Sequence, residues 1–181
     1  MDPGEVLAVC VSAKKGRRKN AVGSALFKEG HGIEGDAHAG PWHRQVSLLA
    51  WESIEKMRAK GLGVHAGSFA ENVTTKGIDL PSLPVGHRFR LGADVLLEVT
   101  QIGKVCHDRC AIYQQAGDCV MPREGIFARV LEGGTVRAGD AVAATSDIAA
   151  AGLDVTHIAS HTIGHEVRYR VKAGRRGRAL A

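Results

Sequence analysis

The chain has 181 residues, 44% of them hydrophobic and 4% aromatic, with 23 glycines and a formal net charge of +5. This length and apolar content fit one domain with a real core and exclude a disordered chain, while many glycines and few aromatics argue against a bundle of long helices. No apolar run reaches the roughly 18 residues of a membrane span, and no charged leader precedes an apolar run, so neither a membrane helix nor a signal peptide is expected.

The basic excess is local. Six bases and one acid fall between Glu166 and Ala181, and residues 1–165 are neutral. A second run, KKGRRK from Lys14 to Lys19, lies near the start. Both runs can meet phosphate groups. Runs of like charge are more commonly solvated, so a solvated loop and a solvated tail are expected, with no nucleic-acid partner. Four cysteines without a secretion signal read as reduced thiols of a cytoplasmic protein.

In chain order, Glu5 to Ser12 (EVLAVCVS) predicts a first strand with Cys10 inside it as a small buried hydrophobe. Lys14 to Ser24 reads as a basic loop and Ala25 to Glu29 as a short strand. The next stretch carries Gly30, Gly32, Gly35 and Gly40, which oppose regular structure and place His31, Glu34, Asp36, His38, His43 and Arg44 on irregular backbone. Arg44 to Leu49 predicts a short strand. Trp51 to Lys60 predicts a helix, with Ile54 and Met57 at helical spacing and Gly61 as its stop. A strand ends the His65 to Thr75 segment, and Pro81 and Pro84 make Gly77 to Gly86 a loop. His87 to Leu91 and Asp94 to Gln101 alternate with a strand period, Val95, Leu97 and Val99 sharing one face. LEGGTVRAGDAVAA predicts a turn, a short strand and a final strand. Many short strands with glycine turns and one clear helix argue a mainly β barrel or sandwich.

After Thr145 the composition shifts, and residues 146–181 read as a basic extension beyond a domain of residues 1–145. His157, His161 and His165 recur every four residues there. On a helix they would share a face, but Gly164 and the β-branched neighbours oppose that helix, and no fourth zinc ligand stands with them. An appendage that packs loosely or is disordered is expected.

The chemistry concentrates between Gly103 and Arg129, where Cys106, Cys110 and Cys119 stand among His107, Asp108, Arg109, Arg123, Glu124 and Arg129. A neighbouring cation lowers a cysteine pKa and favours the thiolate, which is both nucleophile and metal ligand. Cys119, in the apolar DCVMP, suits a core position. Cys110 beside Arg109 and Cys106 beside His107 do not. The C-x3-C-x8-C spacing departs from the paired knuckles of structural zinc, leaving zinc, a labile disulfide and a reactive thiol as alternatives.

Several ordered blocks together resemble a MOSC domain, the module named for the C-terminal part of molybdenum-cofactor sulfurases. They are GIEGDAHAG with RQVSLLAWESI, GSFAENVTT, GIDLPSLPVGHRFRLG, EVTQIGKVCHDRC and MPREGIFARVLEGGTVRAGD, together spanning about residues 5–143. The resemblance implies a β-rich barrel with a few short helices, a reactive cysteine, and an association with sulfur handling and with molybdenum cofactor. No PLP-dependent desulfurase domain fits in this chain, and the chain is similar to the short stand-alone bacterial form. The expected function is therefore a sulfur carrier or sulfurtransferase working through a cysteine persulfide, with a cysteine desulfurase or a molybdoenzyme as donor or acceptor. Alternatives are a cofactor-binding reductase module in which Cys110 ligates molybdenum, and a structural zinc domain.

Alignment through VTQ favours Cys106 as the reactive residue and alignment through the Arg-Cys pair favours Cys110. Cys110 is preferred, with Cys106 as its resolving or co-ligating partner. For the anionic cofactor, Arg44, Arg109, Arg123 and Arg129 are candidate cations, Asp36 and His38 candidates for positioning or proton transfer, and Asn72 with Glu71 candidates for holding the pocket.

Overall fold

The computed structural model describes residues 3–104, 110–144, 160–163 and 166–169. Strands β1 (Gly4–Val11), β2 (Asn20–Val22), β3 (Ser24–Lys28), β4 (Gly32–Ile33) and β5 (Val46–Ala50) precede helix α1 (Trp51–Ala59). Then follow β6 (Val73–Lys76), β7 (Arg88–Leu91), β8 (Val95–Ile102), α2 (Ala111–Ala116), α3 (Met121–Glu124), β9 (Ile126–Glu132), β10 (Gly134–Arg137) and β11 (Ala141–Ala144). A separate hairpin pairs β12 (Ser160–Ile163) with β13 (Glu166–Tyr169).

Strands β11, β7, β8, β9, β5, β6 and β1 pair in that order, and β11 returns to β1 through Gly4–Val142 and Glu5–Ala141. The result is a closed seven-stranded barrel, so the mainly β expectation holds. Closure removes the exposed edges that an open sheet would present. Strand β2 adds outside β1, and β10, β3 and β4 form a second small sheet.

The barrel interior holds Val6, Leu48, Val73, Phe89, Leu97, Ile126 and Val142, all fully buried. A second apolar cluster lies under the helices and joins Leu49, Ile54, Met57, Phe69, Ile112, Cys119, Met121 and Phe127. Every residue of β5 is buried. Its continuous VSLLA run follows from this position, with one face toward the barrel and the other toward the helices. α1 is the crossover between the parallel pair β5 and β6, which two tight turns could not connect. Gly61, at φ +86°, allows the exit from α1.

Several elements lie outside the strands and helix read from sequence: β2, β4, α2, α3, β9 and the β12–β13 hairpin. The β9 run IFARVLE alternates inward Ile126, Ala128 and Val130 with outward Arg129, and pairs with both β5 and β8. The 14–24 stretch also differs from a plain solvated loop. It contains β2, and Lys19, the last residue of the basic run, is 1% exposed. The physical reason is a buried carboxylate that requires a cation. Strand β12 places His161 in extended backbone, whereas His157, His165 and the expected loose packing of the extension lie outside the described residues.

Candidate functional site

Asp36 organises one end of the barrel. Its Oδ2 accepts the backbone N–H of Ser12 at 3.0 Å and the Lys19 ammonium at 2.5 Å, and its Oδ1 accepts the N–H of His38 at 2.9 Å. Burial opposes ionisation of Asp36, but the hydrogen bonds from His38 and Lys19 outweigh it and hold the carboxyl far below the usual carboxylate range. Asp36 thus serves as an internal anchor with its oxygens engaged, not as an open proton acceptor.

Lys19 Nζ also lies 3.2 Å from His38 Nδ1. The same Nδ1 stands 3.5 Å from Asp36 Oδ1, so this nitrogen faces both members of the ion pair, accepting from the ammonium or donating to the carboxylate according to its tautomer. His38 is half-buried and stacks on Trp42, with centroids 6.4 Å apart and planes 12° from parallel. The Trp42 indole N–H donates to the His38 carbonyl at 2.7 Å, which locks the two rings together.

Arg44 completes this surface. Its guanidinium lies 5.0 Å from the Trp42 ring centre and 5.6 Å from that of Phe127. Its Nε is buried with no hydrogen-bond partner among the described residues. A buried guanidinium N–H without an acceptor among the described residues is costly, and it singles out Arg44 among the candidate cations. Three strand ends meet here. Arg44 precedes β5, Phe127 is the second residue of β9, and the end of β8 carries a bulge between Val99 and Gln101. Thr100 is the extra residue of that bulge, and its hydroxyl donates to the His43 carbonyl and to the Phe127 carbonyl.

The bulge also connects the site to the cysteine segment. Gln101 Nε2 donates to the Gly103 carbonyl at 2.7 Å, which leaves its Oε1 to accept from His43 Nε2 at 3.1 Å. Gly103, at φ +71°, then turns the chain under Pro122. The segment with Cys106 and Arg109 follows, and both of these residues lie outside the described residues. Cys110, where the description resumes, is exposed, whereas Cys10 and Cys119 are buried. No group of three or more potential metal ligands occurs among the described residues.

The other sequence candidates sit elsewhere. Asn72 is fully buried: its Oδ1 accepts from the Ser47 N–H and hydroxyl, and its Nδ2 donates to the Cys10 carbonyl. It locks β5, β6 and β1 together from inside and presents no group to a ligand. Glu71 is likewise internal. It accepts the N–H groups of Gly67 and Phe69 and the Thr74 hydroxyl, and burial pushes its pKa up against those bonds. Arg123 pairs with Asp118 at 3.0 Å, and Arg129 pairs with Glu98 at 2.7 Å rather than with Glu132. Glu132 is taken by Arg90. Of the candidate cations in the described residues, Arg44 alone has its guanidinium in the aromatic cage.

Sequence reasoning missed Lys19, Trp42 and Phe127. GIEGDAHAG carries two acids, Glu34 and Asp36, and the spacing gives no sign that Asp36 is the one that turns inward and needs a buried cation. Nothing in the spacing pointed to the aromatic pair around Arg44. A separate cleft of about 520 Å³ lies between α1 and the 77–81 loop, lined in part by Glu52, Lys56, Asp79 and Glu124, and it shares no residue with the Arg44 surface.

The fold has known counterparts. The YuaD protein from Bacillus subtilis superposes with a TM-score of 0.66 at 19% identity, covering 77% of this chain and 94% of that one. YiiM from Geobacillus stearothermophilus gives 0.56 at 18% identity, covering 78% and 75%, and YiiM from Escherichia coli gives 0.55 at 19% identity, covering 80% and 70%. No curated protein sequence matches. The model of the MOSC domain family matches residues 34–143, which include Asp36, Arg44, Asn72, Cys110 and the β8–β9 pair. The chain belongs to the MOSC domain family.

Proposed function

We propose that this MOSC domain carries sulfur as a persulfide on Cys110 and binds an anionic cofactor of the molybdenum-cofactor class at Arg44. The observation that supports the carrier role is the contrast among the described thiols: Cys110 is exposed, and Cys10 and Cys119 are not. In the transfer, the Cys110 thiolate attacks the outer sulfur of a donor persulfide. One S–S bond forms, one breaks, and the donor leaves as a thiolate, so no external oxidant is needed. Cys106 acts as the resolving thiol. Its attack on Cys110 releases hydrosulfide and leaves a disulfide that a small-molecule thiol resets.

The residues present fit an anionic cofactor. Its phosphate needs a cation and N–H donors in a partly desolvated place, and the buried, unpartnered Nε of Arg44 supplies both. His38 stacks on the same Trp42 ring that the Arg44 guanidinium faces. When bound, such a cofactor supplies the metal centre that takes up terminal sulfur. The protein's own part is to hold the anion at Arg44, orient it against the His38–Trp42 stack, and bring up the cysteine segment from the end of β8.

Incubation with a cysteine desulfurase and L-cysteine tests the carrier role. The intact protein should gain the mass of one sulfur, reversibly with dithiothreitol. Cys110→Ser should abolish the gain and Cys106→Ser should retain it. A gain that survives in Cys110→Ser assigns the carrier to another thiol, and no gain at all removes the sulfur-carrier reading. Molybdenum and pterin that co-purify with wild type and not with Cys110→Ser would instead favour a thiolate-ligated reductase module.

A further inference from the structure

The basic run near the N-terminus is built into the site. Lys14, Lys15, Arg17 and Arg18 are all exposed, and none forms an ion pair among the described residues. Cations elsewhere on the barrel are commonly neutralised, as in Lys28–Glu34, Lys60–Asp118 and Arg90–Glu132. The loop is also fastened. Asp36 bonds Ser12 at one end and Lys19 at the other, and the Ser12 hydroxyl bridges to Lys14 through the Lys14 carbonyl and N–H. Lys15 Nζ reaches to 5.7 Å from the centre of the Trp42 ring, which also faces Arg44. A free charge run would have no such anchors.

We propose that residues 13–18 form a cationic lip over the Trp42–Arg44 surface and that the lip binds a second phosphate, so that the site takes a small ligand carrying linked phosphates rather than one. Lys15 stands over the same Trp42 ring as the Arg44 guanidinium, and Lys14, Arg17 and Arg18 are exposed on the same fastened loop, more cations than a single phosphate can use. A macromolecular acidic face fits less well. Interfaces of that kind need an apolar or aromatic centre, and the exposed large aliphatic side chains Leu26, Val85 and Ile102 are set on three different elements or loops. The inference deepens the anion-binding reading at Arg44 and is independent of the persulfide chemistry.

Trp42 is a native reporter, since Trp51 is the other of two tryptophans. In a Trp51→Phe background, fluorescence titration with inorganic phosphate and with inorganic pyrophosphate reads the site directly. Pyrophosphate should bind about tenfold tighter than phosphate, with steeper salt dependence. Replacing Lys14, Lys15, Arg17 and Arg18 together by Gln should remove that preference and leave phosphate binding intact, while Arg44→Gln loses both. Thermal melts confirm that the quadruple variant is folded. Equal affinity for the two anions, or a preference unchanged in the quadruple variant, overturns the proposal. So does tighter binding of a polyglutamate peptide, which would assign the lip to an acidic protein partner. Loss of the preference with phosphate still bound sustains both readings, whereas no binding of either anion removes the Arg44 reading as well.

Discussion

Lys19 and Asp36 form an ion pair of 2.5 Å in which both side chains are wholly buried. Removal of one partner strands the other in a low-dielectric interior, which typically costs about 3–5 kcal/mol. Asp36→Ala and Lys19→Met should each lower the unfolding free energy, read from urea melts, by that order. The double variant should be less unstable than the two losses summed, because it leaves no lone charge. Additive losses would show that the pair is not coupled.

Asn72 separates structure from binding. Asn72→Ala leaves the Ser47 N–H and the Cys10 carbonyl without their partner inside the barrel. With about 1–3 kcal/mol for each buried polar group left unmade, a loss of roughly 2–4 kcal/mol is expected. Phosphate titration of the folded variant should match wild type, since Asn72 shows no atom to solvent. A weakened phosphate affinity would return Asn72 to the ligand site.

Gly103 governs how the cysteine segment leaves the barrel. It stands at φ +71°, and a Cβ there would fall 2.2 Å from the Pro122 carbonyl oxygen. A left-handed conformation alone costs a side chain roughly 1–2 kcal/mol, and the contact forces α3 to shift. Gly103→Ala should destabilise by at least about 2 kcal/mol and change the rate at which Cys110 reacts with a thiol reagent. Unchanged melting and labelling would mean that the turn is not required.

The buried Cys10 thiol makes stability depend on alkaline pH. Burial, reinforced by the Glu71 carboxylate and opposed by Lys19, pushes its pKa from 9.0 up to about 12. The unfolded chain therefore loses this proton first. The contribution is full below pH 9, falls as pH rises, and levels off near 12. At pH 10 the loss is about 1.4 kcal/mol relative to pH 8. Between the two pH values the unfolding free energy from urea melts should fall by this amount more in wild type than in Cys10→Ala, and equal falls would show that Cys10 ionises in the fold as readily as in the unfolded chain.

Much of the barrel was legible because its elements obey local rules. EVLAVCVS, DVLLEVTQ and the Trp51 helix carry the period of the face they bury. β9 carries a blurred local sign, because Phe127 is buried against the helices while Ile126 and Ala128 are buried in the barrel, so IFA does not alternate apolar with polar. Arg123 and Arg129 suited an anion by type, yet each has an acid within reach that no spacing reveals. Arg44 suited it too, and its distinction is tertiary: Trp42 is near in sequence, but Phe127 arrives only through the β5–β9 register. Lys19 differs from its basic neighbours only in having Asp36 beneath it. A run of identical charges gives no local sign of which member turns inward.

The double attachment of Asp36 to Ser12 and Lys19 has an evolutionary corollary. Residues between two fixed posts can be exchanged as a cassette, since doubling a loop's length costs only about 0.6 kcal/mol of closure entropy. The barrel and its register would be untouched by such a swap. Residues 13–18 can therefore be rewritten without renegotiating the fold, and the surface beside Trp42 would change with them.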